Sequence, residues 1–361
     1  MVELIGELEH RLRSSGMSSW AEDVFNSMAL EAFAEQFRSI TAYRRFCEGR
    51  DATPSSVRRW TEIPAVPTTA FKYMDLATKE AEIVFRTSGT SLGEQRRGRH
   101  LVSSLALYRA SLAPPFREYV MAGSERLQFL SLIPSPQAVP DSSLSYMVAA
   151  AAEQFATECH WLVDARGQLD KEMVRSLTRT VSDVGEPVLL VGTALSFLHL
   201  IDFLKESPPR PLPIGSRIME TGGFKGFSRQ TTRDELRQGL FEATGIPSER
   251  VVNEYGMTEL LSQMYEPVLI EGPEAARTHV APPWLRVRAL DPMTLEDLPP
   301  GEEGLLAFFD LANVGSVCHI LTEDVGSVLE GRIHLVGRAL GSESRGCSRA
   351  MDELMLAANV S

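Results

Sequence analysis

The chain has few cysteines for its length, four in 361 residues, and no Cys-x-x-Cys pair. Cys47, Cys159, Cys318 and Cys347 are far apart, which argues against a disulfide framework or a structural zinc site and leaves a single reactive thiol open. The seven histidines never take the His-Glu-x-x-His spacing, and Gly-x-Ser-x-Gly is absent, so neither a zinc hydrolase nor an α/β serine hydrolase is indicated. No apolar run approaches the roughly 20 residues that span a bilayer. The opening stretch MVELIGELEHRLRSS is charged throughout and lacks the apolar centre of a secretion signal, so a cytoplasmic protein is expected. Basic residues are outnumbered 36 to 48, and the net charge of −12 argues against a broad nucleic-acid role.

What is present is ordinary for a soluble globular protein: 43% hydrophobic and 23% charged residues. The length suits a large α/β enzyme with subdomains. Residues 1 to about 50 read as helices, with apolar residues three and four apart at Leu4, Ile5, Leu8 and Leu12, then Ala29, Leu30, Phe33 and Phe37. Buried strands are expected at LQFLSLI (127–133), PVLLVG (187–192), RIMETGG (217–223) and from Val251. Helices are expected between them, and one from Leu101 to Met121. This alternation predicts parallel α/β layers, with ligands bound beyond the carboxyl ends of strands. After about residue 265 the short strands WLRVRAL and GLLAFF, punctuated by Pro292, Pro299, Pro300 and Gly301, predict an antiparallel β-subdomain or small barrel. A final helix is expected from about Met351.

The stretch FRTSGTSLGEQRRGRH (85–100) stands out. Its Thr87, Ser88, Gly89, Thr90, Ser91 and Gly93 supply hydroxyls, freed backbone N–H groups and a backbone able to approach a ligand closely. Arg96, Arg97 and Arg99 add charge behind it. It is suited to nucleotide phosphates, but no Lys follows Gly93, so it is not the Gly-x-x-x-x-Gly-Lys-Ser/Thr loop.

Four stretches then occur in a set order: TSGTSLG (87–93), ETGGFKG (220–226), NEYGMTE (253–259), and TEDVG (322–326) leading to VGR (336–338). In this order the chain resembles the adenylate-forming superfamily of acyl-CoA synthetases, adenylation domains and luciferase. More closely it resembles the LuxE-type acyl-protein synthetases, through DSSLSYM (141–147), YGMTELLSQMY (255–265), PPW (282–284), FDLANVGSV (309–317) and RGCS (345–348). The resemblance covers residues from about 85 to 350. It implies an adenylate-forming large domain, α/β-layered with a small β-barrel-like subdomain. The chain ends soon after Arg338, so the usual C-terminal lid is expected to be missing.

The resemblance also implies roles. Thr87, Ser88, Gly89, Thr90 and Gly93 would hold ATP phosphates. Gly222, Gly223, Tyr255 and Gly256 would face the nucleotide, Asp324 the ribose hydroxyls, and Arg338 would close the site. Thr258 and Glu259 would serve the chemistry, Glu259 as the Mg²⁺ ligand. Cys347 would accept the acyl group, with Arg345 favouring its thiolate and Gly341 and Gly346 lending the tail flexibility. Lys225 reads as structural or solvated, and Cys47, Cys159 and Cys318 as packing residues. The segments expected are 1–80 helical, 81–265 nucleotide- and acyl-binding, 266–338 β-rich and 339–361 a tail. The expected activity is ATP-dependent activation of a carboxylic acid, in the first place a fatty acid, as acyl-AMP, with transfer to a protein cysteine. An acyl-reductase or acyl-carrier protein would be the partner. Two alternatives stay open: a biosynthetic ligase that hands the acyl group to a carrier protein, CoA or amine, and a non-catalytic nucleotide-binding subunit of a reductase or transferase.

Overall fold

The apolar spacing near the N-terminus has its expected consequence. Leu4, Ile5, Leu8 and Leu12 are all buried along one face of helix α1 (Val2–Ser15). Helix α2 (Glu22–Ser39) buries Ala29 and Phe33 of the expected set, leaves Leu30 and Phe37 half-buried and adds Phe25 and Ala32, and α3 (Thr41–Glu48) adds Tyr43 and Phe46. The computed structural model describes residues 2–87, 97–206, 210–222, 232–339 and 345–359. The chain divides into two compact units: Met1–Pro114 with Met257–Gln263 and Thr278–Ser361, and Pro115–Gly256 with Met264–Arg277. The sequence segments 81–265 and 266–338 therefore each contribute to both units.

In the first unit, strand β1 (Val66–Pro67) precedes an antiparallel hairpin of β2 (Ile83–Arg86) and β3 (Arg99–Val102), with Arg86 opposite Arg99. Leu101 and Val102 are paired to Val84 and Ile83, so the helix expected from Leu101 starts later, as α4 (Leu105–Pro115). Pairing across the hairpin satisfies the backbone groups that a helix would otherwise have used.

The second unit opens with a π-helical turn at Phe116–Met121 where an α-helix was expected, then alternates strand and helix. Strands β4 (Leu127–Ser131), β5 (Ala156–Trp161), β6 (Val188–Thr193), β7 (Arg217–Thr221) and β8 (Val251–Tyr255) are joined by helices α5 (Ser143–Phe155), α6 (Lys171–Val184), α7 (Ala194–Glu206) and α8 (Arg233–Thr244). The strands pair in parallel in the order β5-β4-β6-β7-β8, and β9 (Met264–Tyr265) runs antiparallel to β8. A short helix, α9 (Val268–Glu271), follows. Helix starts are chemically marked. The Asp170 carboxylate accepts from the Met173 amide at 2.9 Å, and Thr232 and Glu235 form a reciprocal cap on α8. The core includes Leu130, Leu190, Phe197, Ile201, Ile218 and Leu240. Each such side chain contributes about 1.5–3 kcal/mol of burial.

Back in the first unit, β10 (His279–Val280), β11 (Leu285–Leu290), β12 (Gly304–Asp310), β13 (His319–Leu329) and β14 (Arg332–Arg338) pair antiparallel in the order β11-β12-β13-β14-β10. β1 runs parallel to β13. The β13–β14 register shifts between Val325 and Gly326, where a Cβ on Gly326 would strike the His334 carbonyl oxygen. The glycine of TEDVG is thus required by a close backbone approach. Trp284 is fully buried and donates its indole N–H to Ser262 Oγ at 3.0 Å, a core role. The last helix, α10 (Arg345–Asn359), starts about two turns earlier than expected.

Candidate functional site

The first unit gathers charged residues from three distant stretches around Glu259. Its carboxyl is buried, which pushes it up to about 7; its own backbone N–H, Arg338 and Lys72 pull it down, and Asp324 pushes it up. Asp324 and Arg338 lie opposite each other on β13 and β14, and the Arg338 Nε donates to Asp324 Oδ1 at 3.0 Å. Arg338 also stands 3.8 Å from Glu323. The Asp324 amide donates to Thr322 Oγ1 at 3.1 Å, which shapes the start of the bulge. So the structure brings together Thr258, Glu259, Asp324 and Arg338, which sequence reading had assigned separately. It adds Lys72, which no motif marked.

Beneath this cluster runs a buried polar chain. His100 on β3 places Nδ1 at 2.6 Å from the Thr258 carbonyl and Nε2 at 2.8 Å from Asn313 Oδ1. Asn313 Nδ2 in turn donates to the Glu259 and Val317 carbonyls, both at 2.9 Å. His100 and Asn313 therefore brace the backbone of both motif residues, and sequence reading missed both. One signal was available. His100 shares the inward face of β3 with Val102, and a histidine at a buried strand position needs polar partners.

The hairpin β2–β3 carries the Ser/Thr/Gly loop. Ser88, Gly89, Thr90, Ser91, Gly93 and Arg96 lie outside the described residues. Thr87 lies inside and closes the base of the loop: its N–H donates to the Gly98 carbonyl at 3.0 Å, and its hydroxyl accepts from the Gly98 N–H at 2.8 Å. Arg97 donates Nε to the Thr87 carbonyl at 2.6 Å and Nη2 to that of Arg86 at 3.3 Å. Arg99 pairs with Asp75 at 2.6 Å. Of the three arginines expected to balance phosphate charge, these two are thus engaged with the protein.

In the second unit the motif residues sit at the carboxyl ends of β7 and β8. Gly222 turns the chain with φ +80°, a conformation that favours glycine. Gly223 and Lys225 lie outside the described residues. Thr221 donates to the Glu254 carboxylate and Asn253 Nδ2 to that of Glu220. Burial pushes Glu220 and Glu254 each up to about 7. Tyr255 ends β8 and Gly256 ends this stretch of the unit, so the motif NEYGMTE passes from one unit to the other between Gly256 and Met257.

Cys347 lies in the first turn of α10, buried at 4% exposure among Leu290, Leu305, Ala307 and Leu321. Burial, with Glu323 adding to it, pushes its thiol up to about 12, the reverse of the expected thiolate. Gly341 lies outside the described residues. Gly346 is no hinge here: its N–H donates to the Pro292 carbonyl at 2.8 Å, and a Cβ on it would lie 2.7 Å from that oxygen. Cys47 and Cys318 are buried and Cys159 half-buried, and none of the four cysteines is in a disulfide. Among the described residues no helix is long and apolar enough to cross a membrane.

The chain matches the family model of acyl-protein synthetase, LuxE, over residues 13–356. It is 26% identical over 345 residues to the long-chain-fatty-acid–luciferin-component ligase of Vibrio harveyi, covering 91% of this chain and 87% of that one. A 2-hydroxyisobutyryl-CoA ligase in the postadenylation state, in complex with 2-HIB-AMP, superposes with a TM-score of 0.65 at 15% identity, covering 95% of this chain and 74% of that one. An ATP-bound MatB from Rhodopseudomonas palustris matches at 18% identity with a TM-score of 0.49, over 71% of this chain; the chain spans 47% of that protein. At 15% identity the likeness to the 2-hydroxyisobutyryl-CoA ligase speaks for the fold alone, which is that of adenylate-forming ligases. The chain belongs to the acyl-protein synthetase (LuxE) family and is a ligase of that class.

Proposed function

We propose that the protein activates a long-chain fatty acid with ATP and passes the acyl group to the thiol of Cys347, from which a partner protein takes it. The acid's carboxylate oxygen attacks the α-phosphorus of ATP, the bond to pyrophosphate breaks, and acyl-AMP forms. The Cys347 sulfur then attacks the acyl carbonyl, AMP leaves, and the thiol proton passes to solvent. A carboxylate is a poor electrophile and AMP a good leaving group. The first step therefore asks the protein mainly for positioning and charge neutralisation. Support comes from the family match and, above all, from one observation: Glu259 is buried in a turn whose carbonyls are held by His100 and Asn313, and Asp324 and Arg338 of the later motifs pair at 3.0 Å in the same unit.

In this reading Thr87, with Ser88, Gly89, Thr90 and Gly93, holds the phosphates. Gly222, Gly223, Tyr255 and Gly256 face the base, and Thr258 a phosphate oxygen. Asp324 takes the two ribose hydroxyls, its partner Arg338 turning to the phosphates. Mg²⁺ fits the residues present in a particular way. No group of three or more His, Cys, Asp or Glu among the described residues could hold a metal ion. Glu259 offers one hard oxygen ligand, and phosphates and water would complete the shell, the usual arrangement for Mg²⁺. When bound, the ion would neutralise phosphate charge. Glu259 must be ionised to serve it, and the neighbouring cations Arg338 and Lys72 favour that form. A cytoplasmic location suits this chemistry.

ATP–pyrophosphate exchange with a panel of acids tests the reading. Exchange that requires a long-chain acid, with a hydroxylamine-sensitive acyl group left on Cys347, is the expected result. No exchange with any acid would leave a nucleotide-binding subunit. Exchange without protein labelling, but with efficient acylation of CoA or a carrier protein, would favour the biosynthetic ligase.

A further inference from the structure

The contacts of His100 join two parts of the first unit that the reaction uses together. His100 lies on β3, two residues after Gly98, whose backbone N–H and carbonyl are both bonded to Thr87. Its Nδ1 meets the carbonyl of Thr258 across 158 residues of sequence, and its Nε2 meets Asn313 across 213. The ring is packed edge-on against Phe71, centroids 5.6 Å apart, and its residue is 1% exposed.

The geometry sets a choice. Asn313 Nδ2 faces two carbonyl oxygens at 2.9 Å, which orients the amide and leaves Oδ1 toward the imidazole. Both ring nitrogens of His100 therefore face acceptors. A neutral imidazole has one N–H and can donate to Thr258 or to Asn313, not to both. Desolvation keeps the ring neutral at ordinary pH, pushed down to about 4 despite the two contacts. The nitrogen nearer its acceptor is Nδ1. A proton there ties β3 to the backbone of the turn that presents Thr258 and Glu259.

We propose that His100 is a positioning residue for MgATP: its Nδ1–H holds the Thr258 carbonyl, and so keeps the Thr258–Glu259 turn in register with the base of the Thr87–Gly98 loop. The consequence for MgATP rests on the adenylation reading above; the hydrogen bond itself does not. Loss of the bond lets the turn drift relative to the loop. That weakens the use of MgATP and leaves the use of the acid alone.

Two measurements test this. Long-range nitrogen–proton NMR on ¹⁵N-histidine-labelled wild-type protein, with the His100 signal assigned by its loss in His100→Asn, reads the tautomer directly. A proton on Nδ1 supports the proposal; a bare Nδ1 with the proton on Nε2 overturns it. The second measurement uses two variants. An asparagine amide nitrogen falls near the place of Nδ1, and a glutamine amide nitrogen near that of Nε2. His100→Asn is expected to retain nearly the wild-type half-saturating MgATP in pyrophosphate exchange. His100→Gln is expected to raise it about tenfold or more, the scale of one lost buried hydrogen bond, with the half-saturating acid concentration unchanged. Glutamine rescuing better than asparagine, or a fall in rate with no change in half-saturating MgATP in either variant, overturns the positioning role. If wild-type protein shows no exchange with any acid, the adenylation reading fails and the MgATP role with it, while the tautomer still decides the contact.

Discussion

Acylation of Cys347 would require its thiol to leave a buried setting, and the cost of that can be probed without any substrate. At about pH 8 a thiol pushed up to about 12 is roughly 10⁻⁴ ionised, against about a quarter for an unperturbed cysteine near 8.5. From ionisation alone, alkylation by iodoacetamide should be about 10³-fold slower than for an exposed cysteine. What keeps the thiol in place is the docking of α10. Cys347, Ala350 and Leu354 form one buried face, spaced three and four apart. On the rim, Arg50 grips Glu353, with Nη2 at 2.6 Å and Nε at 2.8 Å from the same carboxylate oxygen, and Arg45 donates to the Ala357 carbonyl at 3.3 Å. The ion pair is partly exposed, so it is worth about 0.2–1 kcal/mol. Glu353→Gln should therefore speed labelling of Cys347 by about 1.5- to 5-fold. Leu354→Ala removes a fully buried side chain, at about 2–5 kcal/mol, and should speed it by 30-fold or more if that cost falls on the docked helix, on the order set by core truncations. The assay is a mass-spectrometric time course, with the Cys47 and Cys318 peptides as internal references that stay slow in every variant. Labelling of wild-type Cys347 at the rate of an exposed cysteine, or no response to either substitution, would refute the claim that helix docking shields the thiol.

Glu259→Gln should lower pyrophosphate exchange by roughly 10²-fold or more, the scale of losing one preorganised charge; a wild-type rate would remove Glu259 from the metal-binding role. The same variant should behave oppositely in stability. Because the folded carboxyl is held at about 7, above its ordinary 4.5, the native state keeps a proton that the unfolded chain has lost. Stability from this group therefore falls as pH rises between those values and stays low above them. Removing the carboxyl should raise the melting temperature relative to wild type at about pH 8 and have little effect at about pH 4, and an equal shift at both would contradict the burial argument. Asp324→Ala should weaken ATP binding by about tenfold or more, on the scale of a charge-assisted hydrogen bond of about 1.5–3 kcal/mol, and leave acid binding alone, as read by calorimetry. In the second unit, Arg277 pairs at 2.8 Å with Glu266, whose side chain is 1% exposed. Arg277→Met takes away the cation paired with that buried carboxylate and should destabilise the protein by about 3–5 kcal/mol in urea unfolding at neutral pH; an unchanged urea midpoint would contradict this.

Much of the fold was legible because it rests on local periodicity. The spacing of Leu4, Leu8 and Leu12 marks a helix whatever lies against it, and short apolar runs between turn residues mark the parallel strands β4, β6, β7 and β8. The helix expected from Leu101 failed at its start for a tertiary reason: the hairpin partner Ile83–Arg86 claimed Leu101 and Val102. The early start of α10 has the same kind of cause. Its first turn is held by a carbonyl at Pro292 and by a pocket for Cys347, neither of which can be read from residues 345–350.

The sequence by itself determined the residue types and their order: a hydroxyl- and glycine-rich loop, Thr258 and Glu259 in one turn, Asp324 before a glycine, Arg338 closing a strand. Those choices are chemical, and the order of the motifs was sufficient to point to an adenylate-forming ligase. Only the tertiary structure decided how those residues are supported and in what state they are held. It spent Arg97 on the carbonyls of Thr87 and Arg86, paired Arg99 with Asp75, and set Lys72 beside Glu259. It placed His100 and Asn313 beneath the Thr258–Glu259 turn and buried Cys347. The physical reason is that burial and hydrogen-bond partnership belong to contacts between residues separated along the chain, from 10 positions for Arg97 and Thr87 to 158 for His100 and Thr258. No local pattern encodes them, yet they decide whether a carboxyl keeps its proton or a thiol can react.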